Sequence, residues 1–266
     1  MSVFNDSSYK NIIELRQVSQ SYDGGQSFII QEMDFLVEDK PAQGQFVVIL
    51  GPSGCGKSTV LRYIAGLQAP TSGEVLMHEQ PIGPDNRVGM VFQQYSSLPW
   101  LTVLENVALA LDYRGATEKE RTSVAMEMIH KVGLAGHEQK FAQYPTLSGG
   151  QLQRVAIARS LLANQEILLM DEPFGALDIN TRLQMQDLLA ELWREIHPTV
   201  IFVTHDISEA VYLADDIYIM KKAPSKFVEH IHVDLPLHRQ REMKRDPKFT
   251  DLVRLVEDRM LHLAGE

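Results

Sequence analysis

The run FVVILGPSGCGKSTVLRYIAGL, residues 46–67, decides how this sequence folds. Its five leading apolar residues, Phe46 to Leu50, predict a buried strand, and Ser58 to Leu67 read as a helix. Between them GPSGCGKST (51–59) matches G-x-x-x-x-G-K-[ST], with Gly51, Gly56, Lys57 and Ser58 at the defining positions. Pro52, Ser53, Gly54 and Cys55 fill the loop. Glycines let such a turn tighten and aim its backbone N–H groups at phosphate oxygens. The helix that follows adds its N-terminal dipole. On this reading the ligand is a nucleoside triphosphate with Mg²⁺, kinases and GTPases staying open at this point: Lys57 reaches the β- and γ-phosphates, the Ser58 hydroxyl ligates the metal and Thr59 contacts the α-phosphate. Cys55 is the only cysteine, so no internal disulfide forms and no second thiol resolves an oxidised one.

Outward from this loop, strand and helix alternate. Residues 12–22, 27–38, 70–82 and 87–93 each contain a strand reading. So do EILLMDEP (166–173), TVIFVTHD (199–206) and DDIYIM (215–220). From about Gln94 helical periodicity takes over and lasts to about 160. The pattern predicts an α/β core with a largely parallel sheet and an inserted helical segment. In the long helix after DEP, Met185, Leu188, Leu189, Leu192, Trp193 and Ile196 recur at helical spacing and predict one buried stripe.

Two further strand ends carry chemistry. ILLMDEP sends Asp171 out of an apolar strand to support Mg²⁺, with Glu172 next to it as a base that polarises the attacking water. VIFVTHD carries His205 at the end of an apolar strand, placed to contact the γ-phosphate and hold that water. His78, His130, His197, His230 and His232 have no persuasive metal-ligand spacing and read as surface or structural residues.

LSGGQLQR (147–154) is a second anion-binding loop, with a helix predicted from Gln151 to Ala163. It has no lysine, so alone it is a poor triphosphate site. It becomes useful when it covers the γ-phosphate held by another copy of the chain. A two-fold, head-to-tail dimer then makes two equal sites.

Bulk properties narrow the class. The 266 residues carry a net charge of −10 and are 44% hydrophobic. That charge disfavours nucleic acid and direct adhesion to an anionic membrane. No apolar run nears the roughly 18 residues of a spanning helix, and Met1 to Lys10 lacks the plan of a signal peptide.

Together these motifs resemble the ATP-binding-cassette (ABC) ATPase subunits, from about Ile12 to the C-terminus. The resemblance implies a RecA-like P-loop NTPase core with an N-terminal antiparallel β subdomain. It divides the chain into a tail (1–11), a core (12–93 and 161–225), a helical subdomain (94–160) and a short C-terminal extension (226–266). It also assigns roles. Gln93 resembles the glutamine-loop residue that touches Mg²⁺ and water, and Tyr22 the aromatic that stacks on adenine. Ser148, Gly149, Gly150 and Gln151 resemble the signature that faces the partner's nucleotide. Asp178, in GALD, resembles the aspartate that communicates across the dimer, and His205 the switch histidine. SSLPWLTVLENV (96–107) and the C-terminal 233–260 resemble the nitrate/sulfonate/taurine importer ATPases, whereas GQF at 44–46 and SGGQLQR depart from that branch. The expected partners are a second copy, integral membrane permease subunits and, indirectly, a solute-binding protein. The expected location is the cytoplasmic face of the inner membrane. A soluble non-transport ABC ATPase and the ATPase of an exporter stay open as alternatives.

Overall fold

The computed structural model describes residues 10–40, 44–83, 86, 88–94, 96–112, 115–163 and 166–264. Residues 1–9 of the expected tail, 41–43 of the expected turn at 39–45, and Arg87 of the expected 87–93 strand lie outside the described residues. In chain order the first elements are β1 (Asn11–Gln20), β2 (Ile30–Glu38), β3 (Gln45–Leu50), α1 (Lys57–Ile64), β4 (Ser72–Met77) and β5 (Gln80–Pro81). Then come β6 (Met90–Val91), α2 (Val103–Asp112), α3 (Glu118–Lys131), α4 (Gly149–Leu162), β7 (Ile167–Asp171) and α5 (Ile179–Ile196). The chain closes with β8 (Thr199–Thr204), α6 (Ile207–Leu213), β9 (Asp216–Met220), β10 (Phe227–His232), a 3₁₀ turn (Arg241–Arg245) and α7 (Pro247–Ala264).

These elements form two compact units, 1–88 with 190–266, and 89–189. In the first, β3 is buried along all six residues. It lies between two parallel neighbours, pairing Phe46 with Val200 of β8 and Val48 with Ile217 of β9. A strand covered on both faces needs this unbroken apolar run. β10 adds antiparallel to β9. A separate antiparallel sheet runs β2-β1-β4-β5. Its β1 alternates less cleanly because it bulges between Leu15 and Val18. Gln17 takes φ 48 there, with its N–H and side-chain amide both donating to Asp34 (2.8 and 2.5 Å).

In the second unit β6 pairs parallel with β7, and α2, α3 and α4 pack on one another. Helix α4 starts at Gly149, two residues before the expected Gln151, because Ser148 and Gln151 form a reciprocal capping box. Asn106, fully buried, binds the 98–102 loop. Its amide nitrogen donates to the carbonyls of Leu98, Leu101 and Thr102, and its oxygen accepts from Leu98 N–H.

The expected stripe of the long helix is narrower than its spacing suggests. Met185, Leu189, Leu192 and Trp193 are buried, but Leu188 is half-buried and Ile196 is exposed. Ile196 sits in the last turn, where the helix ends just ahead of His197 and Pro198. The expected strand at 87–93 contracts to Met90–Val91. Among the described residues no helix is long and apolar enough to cross a membrane.

Candidate functional site

The phosphate loop lies in the first unit, where β3 ends and α1 begins. Gly54 (φ 79) and Gly56 (φ 93) take left-handed conformations that side chains resist. Gly51 is needed for a different reason. A Cβ there would stand 2.8 Å from the Met220 carbonyl and 2.9 Å from Cys55 Sγ. Cys55 is thus a buried packing group beneath the loop. No side chain caps α1, whose N-cap is Gly56 and whose first turn holds no acid. Its leading N–H groups therefore face outward for an anion. Lys57, 5% exposed, folds back over the loop and donates from Nζ to the carbonyls of Gly51 (2.8 Å) and Pro52 (3.1 Å). Ser53 is exposed, and Pro52, Ser58 and Thr59 are half-buried.

Two more candidates lie in this unit. Tyr22 is 64% exposed, with its hydroxyl held by Gln68 Nε2 at 3.0 Å. Gln68 also reaches Gln20 Oε1, which accepts from Tyr63 Oη at 2.6 Å. The ring face of Tyr22 is left for a flat partner. His205 is exposed just beyond β8. The turn that carries it is fastened on both sides. Thr204 Oγ1 donates to buried Glu209 (2.5 Å) and accepts from Asp206 N–H, while Asp206 caps Glu209 N–H, both at 3.0 Å.

The remaining candidates lie in the second unit. Asp171 is the last residue of β7, and Glu172 follows it at φ 44. A non-glycine residue held there costs roughly 1–2 kcal/mol, and such strain gathers where a side chain must be aimed. The turn is closed by Gly175 N–H donating to the Glu172 carbonyl (3.1 Å). Gln93 rests on the same turn: a Cβ on Gly175 would meet Gln93 Nε2 at 3.1 Å. Phe92, Gln93, Gln94, Ser96 and Asp171 line an open cavity of about 400 Å³.

In the signature loop the side chains are occupied with capping. Ser148 N–H donates to Gln151 Oε1 (2.9 Å), and Gln151 N–H donates to Ser148 Oγ (3.3 Å). This leaves the N–H groups of Gly149 and Gly150 as the donors of the first turn. Gly150 has no room for a side chain, since a Cβ would lie 2.4 Å from Thr181 Cγ2. Thr181 belongs to the first turn of α5, and its N–H donates to Asp178 Oδ1 (3.0 Å). The Thr181 side chain also bonds Asp178, and this bond leads in holding the carboxyl below the usual range. Gly150, Thr181 and Asp178 are therefore one packed series.

The oxygens of Ser58, Gln93 and Asp171 are hard donors of the kind Mg²⁺ takes. Among the described residues no three His, Cys, Asp or Glu side chains cluster as a metal cage. Mg²⁺ bound by one carboxylate and by phosphate oxygens needs none. Sequence reasoning missed the residues that hold the 96–102 loop. Asn106 is one. Arg159 is another, donating from Nη2 to the Ser96 carbonyl at 2.6 Å. The available signal was a polar residue on an otherwise apolar helical face.

Residues 37–175 match the model of the ABC transporter family. The taurine import ATP-binding protein TauB of Yersinia pestis is 43% identical over 214 residues, 78% of this chain and 83% of that one. TauB of Pseudomonas savastanoi is 40% identical over 246 residues, 90% of this chain and 92% of its own. Among solved structures, the dimeric ATP-binding cassette MJ0796 bound to ADP and Pi superposes with a TM-score of 0.70. It is 35% identical and covers 84% of this chain and 100% of its own.

Proposed function

The chain belongs to the ABC transporter family, and from that premise we propose that it is the ATP-hydrolysing motor of a membrane importer for a small anion or organic solute such as nitrate, a sulfonate or taurine. The relatives named for taurine import support this reading at 40–43% identity over most of the chain. The observation that carries the chemistry is Glu172, held at φ 44 directly after the strand-end Asp171, with Gln93 resting on its turn.

Each residue then has a task. Tyr22 stacks on adenine. The N–H groups of Gly51 to Thr59 cradle the phosphates, and Lys57 exchanges its two loop carbonyls for phosphate oxygens. Ser58, Gln93 and Asp171 would hold Mg²⁺, which supplies charge neutralisation at the β- and γ-phosphates. Glu172 accepts a proton from the attacking water, and His205 orients that water against the γ-phosphate. Ser148 to Gln151 of a second copy close the site, which the lone glycine N–H groups of one copy cannot do. Asp178 and the 75% exposed Ile179 beside it offer a surface for that copy. ATP favours the closed dimer and hydrolysis reopens it.

The segment fixed by Asn106 and Arg159 shows Trp100 68% exposed at its turn, with Phe141 (51%) and Tyr144 (76%) on the 141–144 stretch hydrogen-bonded to it through Ala142. These aromatics suit a short apolar helix of a permease. The protein then works at the cytoplasmic face of the membrane, with a solute-binding protein meeting the permease on the other side. Purification in mild detergent from the native cell tests the reading. A multi-span membrane protein in stoichiometric yield is the expected result, and recovery of soluble partners alone would overturn it.

A further inference from the structure

The first unit has a cavity of about 430 Å³ at the N-terminal ends of its parallel strands. Gln45, which begins β3, lines it, so it lies one strand length, about 17 Å, from the phosphate loop at the other end of β3. The size suits a small molecule. Its apolar wall is the buried Trp193 ring with Val233 and Leu235. Trp193 Nε1 is already committed to the Pro198 carbonyl at 2.9 Å, so the ring presents carbon. Another wall is rigid backbone. His197 takes φ 55, Gly44 takes φ 59, and a Cβ on Gly44 would stand 2.3 Å from the His197 carbonyl oxygen.

The charged groups that line this cavity are unequally engaged. Its two acids are engaged elsewhere. Asp215 accepts from Phe46 N–H at 2.9 Å and faces Arg239 at 3.5 Å, and Asp234 pairs with Lys248 at 2.7 Å. Two of its basic groups are engaged as well, Lys40 and His232 both meeting Asp216, at 3.8 and 3.1 Å. Arg194 and His197 remain. Neither makes a side-chain hydrogen bond or ion pair among the described residues, and both line the cavity. An uncommitted guanidinium beside an apolar wall stands out on a chain of net charge −10.

We propose that this cavity is a binding site for a small amphipathic anion, a carboxylate or sulfonate on an apolar body. The head group meets the Arg194 guanidinium and a His197 ring nitrogen, and the body lies against Trp193, Val233 and Leu235. A guanidinium grips such oxygens in a bidentate fork. The site shares no residue with the nucleotide site, so it stands or falls apart from the transport reading.

Calorimetric titration of the full-length protein tests it, with MgADP saturating the nucleotide site and naphthalene-1-sulfonate as the probe. One saturable site per chain is expected, with a Kd on the order of 100 μM. Arg194→Glu should weaken it at least about tenfold and Arg194→Lys far less, while circular dichroism stays unchanged. Naphthalene-1-methanol, which keeps the apolar body without the charge, should bind at least about tenfold more weakly. Equal binding of the two probes, equal binding by wild type and Arg194→Glu, or no saturation by about 10 mM would each overturn the proposal.

Discussion

At the scale of single residues, the geometry separates groups that act from groups that make room. Glu172 belongs to the first kind on the proposed reading. Glu172→Gln keeps the volume and removes the base, so steady-state ATPase should fall by about 10²–10⁴-fold while nucleotide affinity holds. Hydrolysis at the wild-type rate would end its assignment as the base. Lys57→Ala should instead weaken nucleotide binding itself, read by equilibrium titration. Gly150 belongs to the second kind. In an open helix Gly→Ala would stabilise by roughly 0.5–1 kcal/mol. Here the new Cβ would meet the Thr181 methyl at 2.4 Å, and overpacking of that sort costs about 1–3 kcal/mol. The clash should win. Gly150→Ala should lower the denaturation midpoint, and adding Thr181→Ser, which deletes that methyl, should restore most of the loss.

At the scale of elements, end groups and strand pairs set local stability. Ser148→Ala removes the cap of α4 and should cost about 1 kcal/mol in a urea titration. The β9–β10 pair predicts a pH effect. Burial works against ionisation of Asp216, but hydrogen bonds from His230 (2.9 Å) and His232 (3.1 Å) outweigh it and hold the carboxyl below its usual range. A carboxylate depressed in the folded state stabilises above its unfolded value and loses that contribution as pH falls through the folded one. Neighbouring Asp215 runs the other way, because burial raises it. Asp216→Asn should therefore destabilise at neutral pH, and its deficit against wild type should shrink on acidification below about pH 4. A deficit that stays constant to pH 2 would show that the carboxylate charge is not the cause. These positions were partly readable beforehand. Ser148 and Gln151 stand at capping-box spacing, and reading that spacing would have placed the start of α4 correctly. Nothing local marks Asp216, because its partners arrive from 14 and 16 residues away.

At the scale of the whole molecule, one chain carries a lysine-bearing phosphate loop and a lysine-free signature loop, and two copies complete each site on the proposed reading. Glu172→Gln protein should elute as a dimer in MgATP and as a monomer without it. A monomer in both conditions would remove the head-to-tail assembly.

The sequence by itself determined the phosphate loop, the DE pair, the strand-end histidine and the signature. Each is a contiguous run whose chemistry depends on neighbours a few residues away, and its strand or helix follows from local apolar spacing. The tertiary structure alone decided the rest. Ile196 matches the helical stripe, yet it is exposed because burial depends on what faces the last turn. Gly150 could have been a plain flexible residue, and only the approach of Thr181 makes a side chain impossible there. The cavity beside Arg194 draws its walls from Lys40, Gly44 and Gln45, from Trp193 and His197, and from Val233 to Leu235. Local periodicity has no access to such a site, because packing brings together segments that the chain keeps almost two hundred residues apart.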